Sequence, residues 1–144
     1  DCLLSRGLGD VYKRQVDTLI IAAPGGASTD KAINAGVLKA LGPKGILINI
    51  GRGTTVDEEA LISALKDGTI MAAGLDVFEK EPKVPQALID LPNAVLLPHV
   101  GSASHHTRNE MGNLVVQNLK AWFSGNDVLT PVSECVSAGV RRHG

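Results

Sequence analysis

An arginine, a carboxylate and an imidazole each follow an apolar run in this 144-residue chain: Arg52 after GILINIG, Asp76 after MAAGL, and His99 after AVLLP. The three are spaced at about one strand–helix–strand step each. If the runs are parallel strands, all three fall on one edge of a sheet, the carboxyl-terminal edge where open α/β sheets bind ligands. A planar guanidinium there can grip an anion through paired hydrogen bonds. An imidazole, which titrates near neutral pH, can give and take a proton. Each residue also has a plainer reading: Arg52 as a loop arginine, Asp76 as a helix cap, His99 as a satisfied core histidine. Gly51 and Gly53 beside Arg52 favour function, because they let backbone approach a ligand closely. By pattern alone Glu79 and Glu81 read as solvated loop charges. His105 and His106 read as surface residues, His143 as tail, and Met111 and Trp122 as packing residues.

The elements that must position these groups are legible as four apolar runs: Thr18–Ala23, Gly45–Ile50, Met71–Leu75 and Ala94–Leu97. Each is unbroken rather than alternating, which predicts strands buried on both faces. Lys31–Leu41 separates the first two, with Ile33, Val37, Leu38 and Leu41 at helical spacing and Gly42-Pro43 as a stop. Asp57–Lys66 separates the next two, with an acidic first turn, an apolar face of Leu61, Ile62 and Leu65, and Gly68 beyond its end. The βαβαβ order predicts a parallel sheet with right-handed crossovers. The link Phe78–Asn93 is Pro-rich, with one helical turn expected at Gln86–Ile89. A long amphipathic helix is expected over Ser104–Phe123, its stripe formed by Met111, Leu114, Val115, Leu119 and Trp122, with Gly125-Asn126 ending it.

Composition excludes several function classes. Hydrophobic residues make up 44%, charged residues 20%, and the net charge is −1, which fits a globular domain and offers no basic surface for nucleic acid. Aromatics at 3% argue against a base-stacking platform. No apolar run approaches the length of a membrane span. Cys2 and Cys135 lack metal-type spacing and suit a reducing cytoplasm. His105-His106 diverge on a helix and no HExxH occurs, so no metal site is expected. No G-x-S-x-G nucleophile elbow is present. Residues 1–15 show no clean period and are expected to be a non-native leader. Residues 16–103 are read as half of a ligand-binding domain, 104–125 as a linking helix, and 126–144 as a returning tail that is loose from Ser133.

In order, the segments VDTLIIAAPGG, LINIGRGTTVDEEALISALKDG, AAGLDVFEKEP, LPNAVLLPHVGSASHHTRNEMGNLVVQNLKAWFSG and LTPV resemble the D-isomer-specific 2-hydroxyacid dehydrogenase family. The resemblance runs from about Val16 to Val132, and APGGAST, INIGRG and EKEPKVP look most like the glyoxylate, hydroxypyruvate and hydroxyphenylpyruvate reductases. It implies the C-terminal part of a Rossmann-like, doubly wound parallel sheet with a long inter-domain helix. It also implies an oxidoreductase acting on CH–OH donors with NAD or NADP, NADPH slightly favoured. By the same resemblance Arg52 would hold the substrate carboxylate, His99 would be the catalytic acid/base, and Glu81 its acidic partner. Asp76 would lie near the nicotinamide amide. Pro24, Ile50, Gly51, Arg52, His99, Gly101 and Ser102 would line the cofactor. Formate dehydrogenases resemble this family but carry glutamine where Glu81 stands. The expected partners are a small 2-keto or 2-hydroxy acid and a second copy of the full-length protein, in the cytoplasm. No G-x-G-x-x-G phosphate turn follows a strand here, so the chain is read as a fragment that would not turn over alone. A non-catalytic dinucleotide sensor, like the corepressor-like relatives, is the alternative.

Overall fold

The computed structural model describes residues 16–137; the expected leader and the end of the expected tail lie outside them. Two compact units divide the chain after Gly101.

The first unit is built on four strands, β1 (Thr18–Ile21), β2 (Ile46–Asn49), β3 (Ala72–Leu75) and β4 (Ala94–Leu96). They pair in parallel in the order β1-β2-β3-β4. Two helices serve as crossovers, α1 (Ala35–Leu41) and α2 (Glu58–Lys66), and α3 (Gln86–Ile89) sits in the Pro-rich link. The pairing register places Ile21, Asn49 and Leu75 in one row and Ile20, Ile48, Gly74 and Val95 in the next. Right-handed crossovers that step across a sheet in one direction put their helices on one face. Burial follows that rule: Ile21, Leu47, Ala73 and Leu75 join Leu38, Leu61 and Leu88 in one core. Burying a leucine such as Leu61 contributes about 1.5–3 kcal/mol.

The opposite face differs from the sequence expectation of burial on both sides. Within this unit Ile20 is 61% exposed and Val95 67%, because successive crossovers in one direction supply helices to one face only.

Local signals account for the helix limits. Asp57 caps α2 by accepting from the Ala60 amide, and Glu58 and Glu59 fill its acidic first turn. Asn34 caps α1 by accepting from the Gly36 and Val37 amides. Helix α1 therefore starts later than the expected Lys31. The preceding residues give their amides elsewhere: Lys31 N–H donates to Thr54 O and Ile33 N–H to Thr55 O, and Ile33 bridges Val56. Beyond α1 the chain turns at Gly42, whose φ of +81° favours glycine.

The second unit contains α4 (His105–Phe123) and a short α5 (Ser133–Ser137), the latter where a loose tail was expected. Ser104 caps α4 by accepting from Thr107 N–H. Asn118 ties the following segment to the helix, donating to Thr130 Oγ1 and accepting from Thr130 N–H. No residue of α4 is buried. Met111, expected as a packing residue, is 58% exposed, while Trp122 is half-buried. His105 and His106 are exposed, as expected. Among the described residues no helix is long and apolar enough to cross a membrane.

Candidate active site

Parallel strands bring the ends of β1 to β4 to one edge, and the four loops that leave this edge carry the chemistry. The loop after β2 is held by Asn49, a polar residue inside an otherwise apolar run and only 1% exposed. Buried amides need partners, and the short turn supplies them. Asn49 Nδ2 donates to Arg52 O at 3.0 Å, and its Oδ1 accepts from Gly51 N–H at 3.1 Å. Thr55 Oγ1 donates to the same Arg52 carbonyl at 2.6 Å. The backbone of Arg52 is thus gripped from two sides while its side chain is exposed. Its Nη1 donates to Gly51 O at 2.8 Å. From the β1 loop Gly25 meets the arginine stem: a Cβ there would lie 3.1 Å from Arg52 Cγ.

Strand β3 ends in Asp76, which is 5% exposed. Its two oxygens accept from consecutive amides of the β4 loop, Val100 N–H at 2.7 Å and Gly101 N–H at 2.7 Å. These bonds fix the turn in which His99 adopts a φ of +56°, a left-handed conformation that costs a non-glycine residue about 1–2 kcal/mol. Each oxygen of Asp76 thus accepts one amide of the turn that presents His99.

Glu81 lies in the loop after β3, next to a cis Glu81–Pro82 peptide bond. Its Oε1 accepts from Phe78 N–H at 2.9 Å, and its Oε2 meets His99 Nδ1 at 2.8 Å. The hydrogen bond from His99 holds the Glu81 carboxyl below its ordinary value. The Phe78 amide adds to this; burial opposes it more weakly, and the still smaller effects of the His99 and Arg52 charges lower it further. An ionised Glu81 can only accept, so Nδ1 carries a proton and Nε2 is the nitrogen left to exchange one. Both side chains remain open to solvent, His99 at 45% and Glu81 at 36%.

Arg52, Glu81, His99 and Asp76 thus come together, and Arg52 is felt electrostatically at Glu81. Pro24 is exposed in the β1 loop, where its carbonyl accepts from Thr29 Oγ1. Ile50 offers an apolar side chain 55% exposed at the end of β2. The donor set fits the nicotinamide end of a dinucleotide: an exposed apolar residue, side-chain-free backbone at Gly25 and Gly26, and acid/base groups on the same edge. Ser102 begins the second unit. No group of His, Cys, Asp or Glu that could hold a metal ion occurs among the described residues.

Two further residues shape the site, Asn49 and Glu58, and Gly53 does so differently from the sequence expectation. Asn49 was hidden in an apolar run, although a polar residue there is itself a signal. Gly53, expected to let backbone approach a ligand, makes room for the neighbouring loop instead: a Cβ on it would fall on the Phe78 carbonyl carbon. Glu58, in the acidic first turn of α2, is 7% exposed and accepts from Glu79 N–H at 2.7 Å.

Residues 8–101 match the D-isomer specific 2-hydroxyacid dehydrogenase family, NAD binding domain. The chain is 58% identical over 116 residues to hydroxyphenylpyruvate reductase of Plectranthus scutellarioides, covering 81% of this chain and 37% of that protein. It is 55% identical, with the same coverage, to glyoxylate/hydroxypyruvate reductase A of Arabidopsis thaliana. Among solved structures it is similar to the NADPH-dependent glyoxylate/hydroxypyruvate reductase of Sinorhizobium meliloti in complex with NADP and malonate. The TM-score is 0.86 at 61% identity, covering 94% of this chain and 42% of that one. The chain thus spans little more than a third of the curated relatives it matches. On the fold, the strand-end cluster and these matches together, the chain belongs to the D-isomer specific 2-hydroxyacid dehydrogenases, within their NAD binding domain.

Proposed function

We propose that the protein containing this chain moves a hydride between NAD(P)H and a small 2-keto acid of the glyoxylate or hydroxypyruvate type. The observation that carries this reading is the Glu81 Oε2–His99 Nδ1 contact of 2.8 Å beside an exposed Arg52. Arg52 binds the substrate carboxylate and polarises the adjacent carbonyl. His99, oriented by Glu81, delivers a proton from Nε2 to the carbonyl oxygen and takes it back in the reverse direction. Pro24, Ile50 and Gly51 would hold the nicotinamide, which when bound would supply the hydride for the carbonyl carbon. One keto acid, one hydride and one proton give one 2-hydroxy acid and the oxidised dinucleotide. The donor is NADH or NADPH, with NADPH slightly favoured by the similarity to an NADPH-dependent reductase. We place the intact protein in the cytoplasm as a homodimer.

The test is oxidation of NADPH and of NADH by the purified intact protein, with glyoxylate and hydroxypyruvate in turn. Saturable oxidation that needs the keto acid supports the assignment. Tight dinucleotide binding without turnover moves the protein to the sensor class.

A further inference from the structure

We propose that Glu58 is a positioning residue for the Glu81–His99 pair, acting through the backbone of the loop after β3. This rests on the acid/base reading above. Two successive amides of that loop point at two carboxylates: Phe78 N–H donates to Glu81 Oε1 at 2.9 Å, and Glu79 N–H donates to Glu58 Oε1 at 2.7 Å. Glu58 is 7% exposed in the first turn of α2, an element anchored by its Asp57 cap. Across the same peptide, Gly53 brings the β2 loop into contact with the Phe78 carbonyl. The Phe78–Glu79 peptide is thus gripped by Glu58 and backed by Gly53. The next amide toward the N-terminus sets the Glu81 carboxylate, whose other oxygen sets His99. A path of hydrogen bonds and one close contact runs from the start of α2 to the imidazole.

The charge on Glu58 is held at a thermodynamic cost. Burial raises its carboxyl above the ordinary value, as does the neighbouring Glu79 charge, while the Glu79 amide and Lys80 oppose the shift. A glutamine would fill the same space and present the same acceptor oxygen without that cost. A residue needed only for packing would not require an acceptor at this point.

The experiment compares Glu58→Ala and Glu58→Gln in the intact protein. The readouts are kcat and KM for glyoxylate, the melting temperature, and the titration of the Glu81 carboxyl by carbon-13 NMR. In the alanine variant kcat is expected to fall about tenfold to a hundredfold, as misplacement of a catalytic group does, with KM moving far less. The Glu81 midpoint should rise toward the ordinary carboxylate value as the Phe78 amide is released. The glutamine variant should restore both readouts to near wild type. A folded alanine variant with wild-type kcat and Glu81 midpoint overturns the proposal, as does a glutamine variant as impaired as alanine. If alanine fails to fold, Glu58→Met keeps the volume, removes the acceptor and carries the same expectations. In the wild type, the Glu79 amide proton must follow the titration of Glu58; a flat response also overturns the proposal. If the intact protein reduces no keto acid, the functional reading fails, while the Glu81 titration still decides whether Glu58 positions it.

Discussion

Two loops at the carboxyl edge of the sheet are each organised by carboxylates, and they use them differently. In the turn after β4, Asp76 is buried and gives both oxygens to backbone amides. In the loop after β3, Glu81 is partly exposed and divides its oxygens between the Phe78 amide and His99. The buried acid shapes a left-handed turn; the exposed acid is shaped by its loop and acts on the His99 imidazole. The difference teaches that an acid near an imidazole is assigned by what its oxygens do rather than by proximity. Asp76 should matter mainly to stability and presentation, Glu81 mainly to proton transfer.

The comparison breaks most visibly at the residue that both acids serve. His99→Ala should lower turnover by about 10²–10⁴-fold, the range for loss of a general acid/base. Stability should stay within about 0.5 kcal/mol, as for other exposed positions; steady-state kinetics and urea denaturation read the two. Next comes Arg52→Lys, which keeps the charge and loses the fork. We expect kcat/KM to drop by about tenfold to a hundredfold, the scale of a charge-assisted bond, with the larger part in KM. The two acids should then separate in a paired measurement. Asp76→Asn aims an amide NH₂ at a backbone N–H and should cost about 1–3 kcal/mol in denaturation. Glu81→Gln should cost less than about 1 kcal/mol but change the pH profile of kcat.

The smallest effects are in the pH dependence of stability. The folded Glu81 carboxyl lies below its ordinary value of 4.5. Its stabilising contribution is therefore present above that value and lost as pH falls through the lower folded value. Glu58 has the opposite sign, its folded value raised above 4.5. Its contribution is full below 4.5 and is lost as pH rises through the raised value, so Glu58→Gln should melt no lower than wild type at neutral pH. Melting curves across acid pH for the wild type and the two glutamine variants check both signs.

Much of this was legible in the sequence. Apolar runs placed the four strands to within two residues at each end, because short runs bounded by Gly and Pro have few other ways to fold. Helix α3 matched the expected Gln86–Ile89, and Ser104 was found at the start of the long helix. The strand-end logic brought Arg52, Asp76 and His99 together from spacing alone. Glu81 needed the resemblance, since an exposed loop glutamate carries no local signal of a partner 18 residues away. Glu58 was out of reach for a related reason. Its partner is a backbone amide 21 residues on, and backbone amides leave no mark in a sequence. The late start of α1 was hidden likewise, in the amides of Lys31 and Ile33 that bond to the Arg52 loop.

The central claim, that Glu81 and His99 work as one acid/base unit, is tested most directly by a double-mutant cycle on kcat for glyoxylate reduction, using Glu81→Gln, His99→Asn and the double variant. Residues that act as a unit are strongly non-additive. The account predicts a double variant no slower than His99→Asn alone; losses that multiply would show that the two residues act independently and would contradict it.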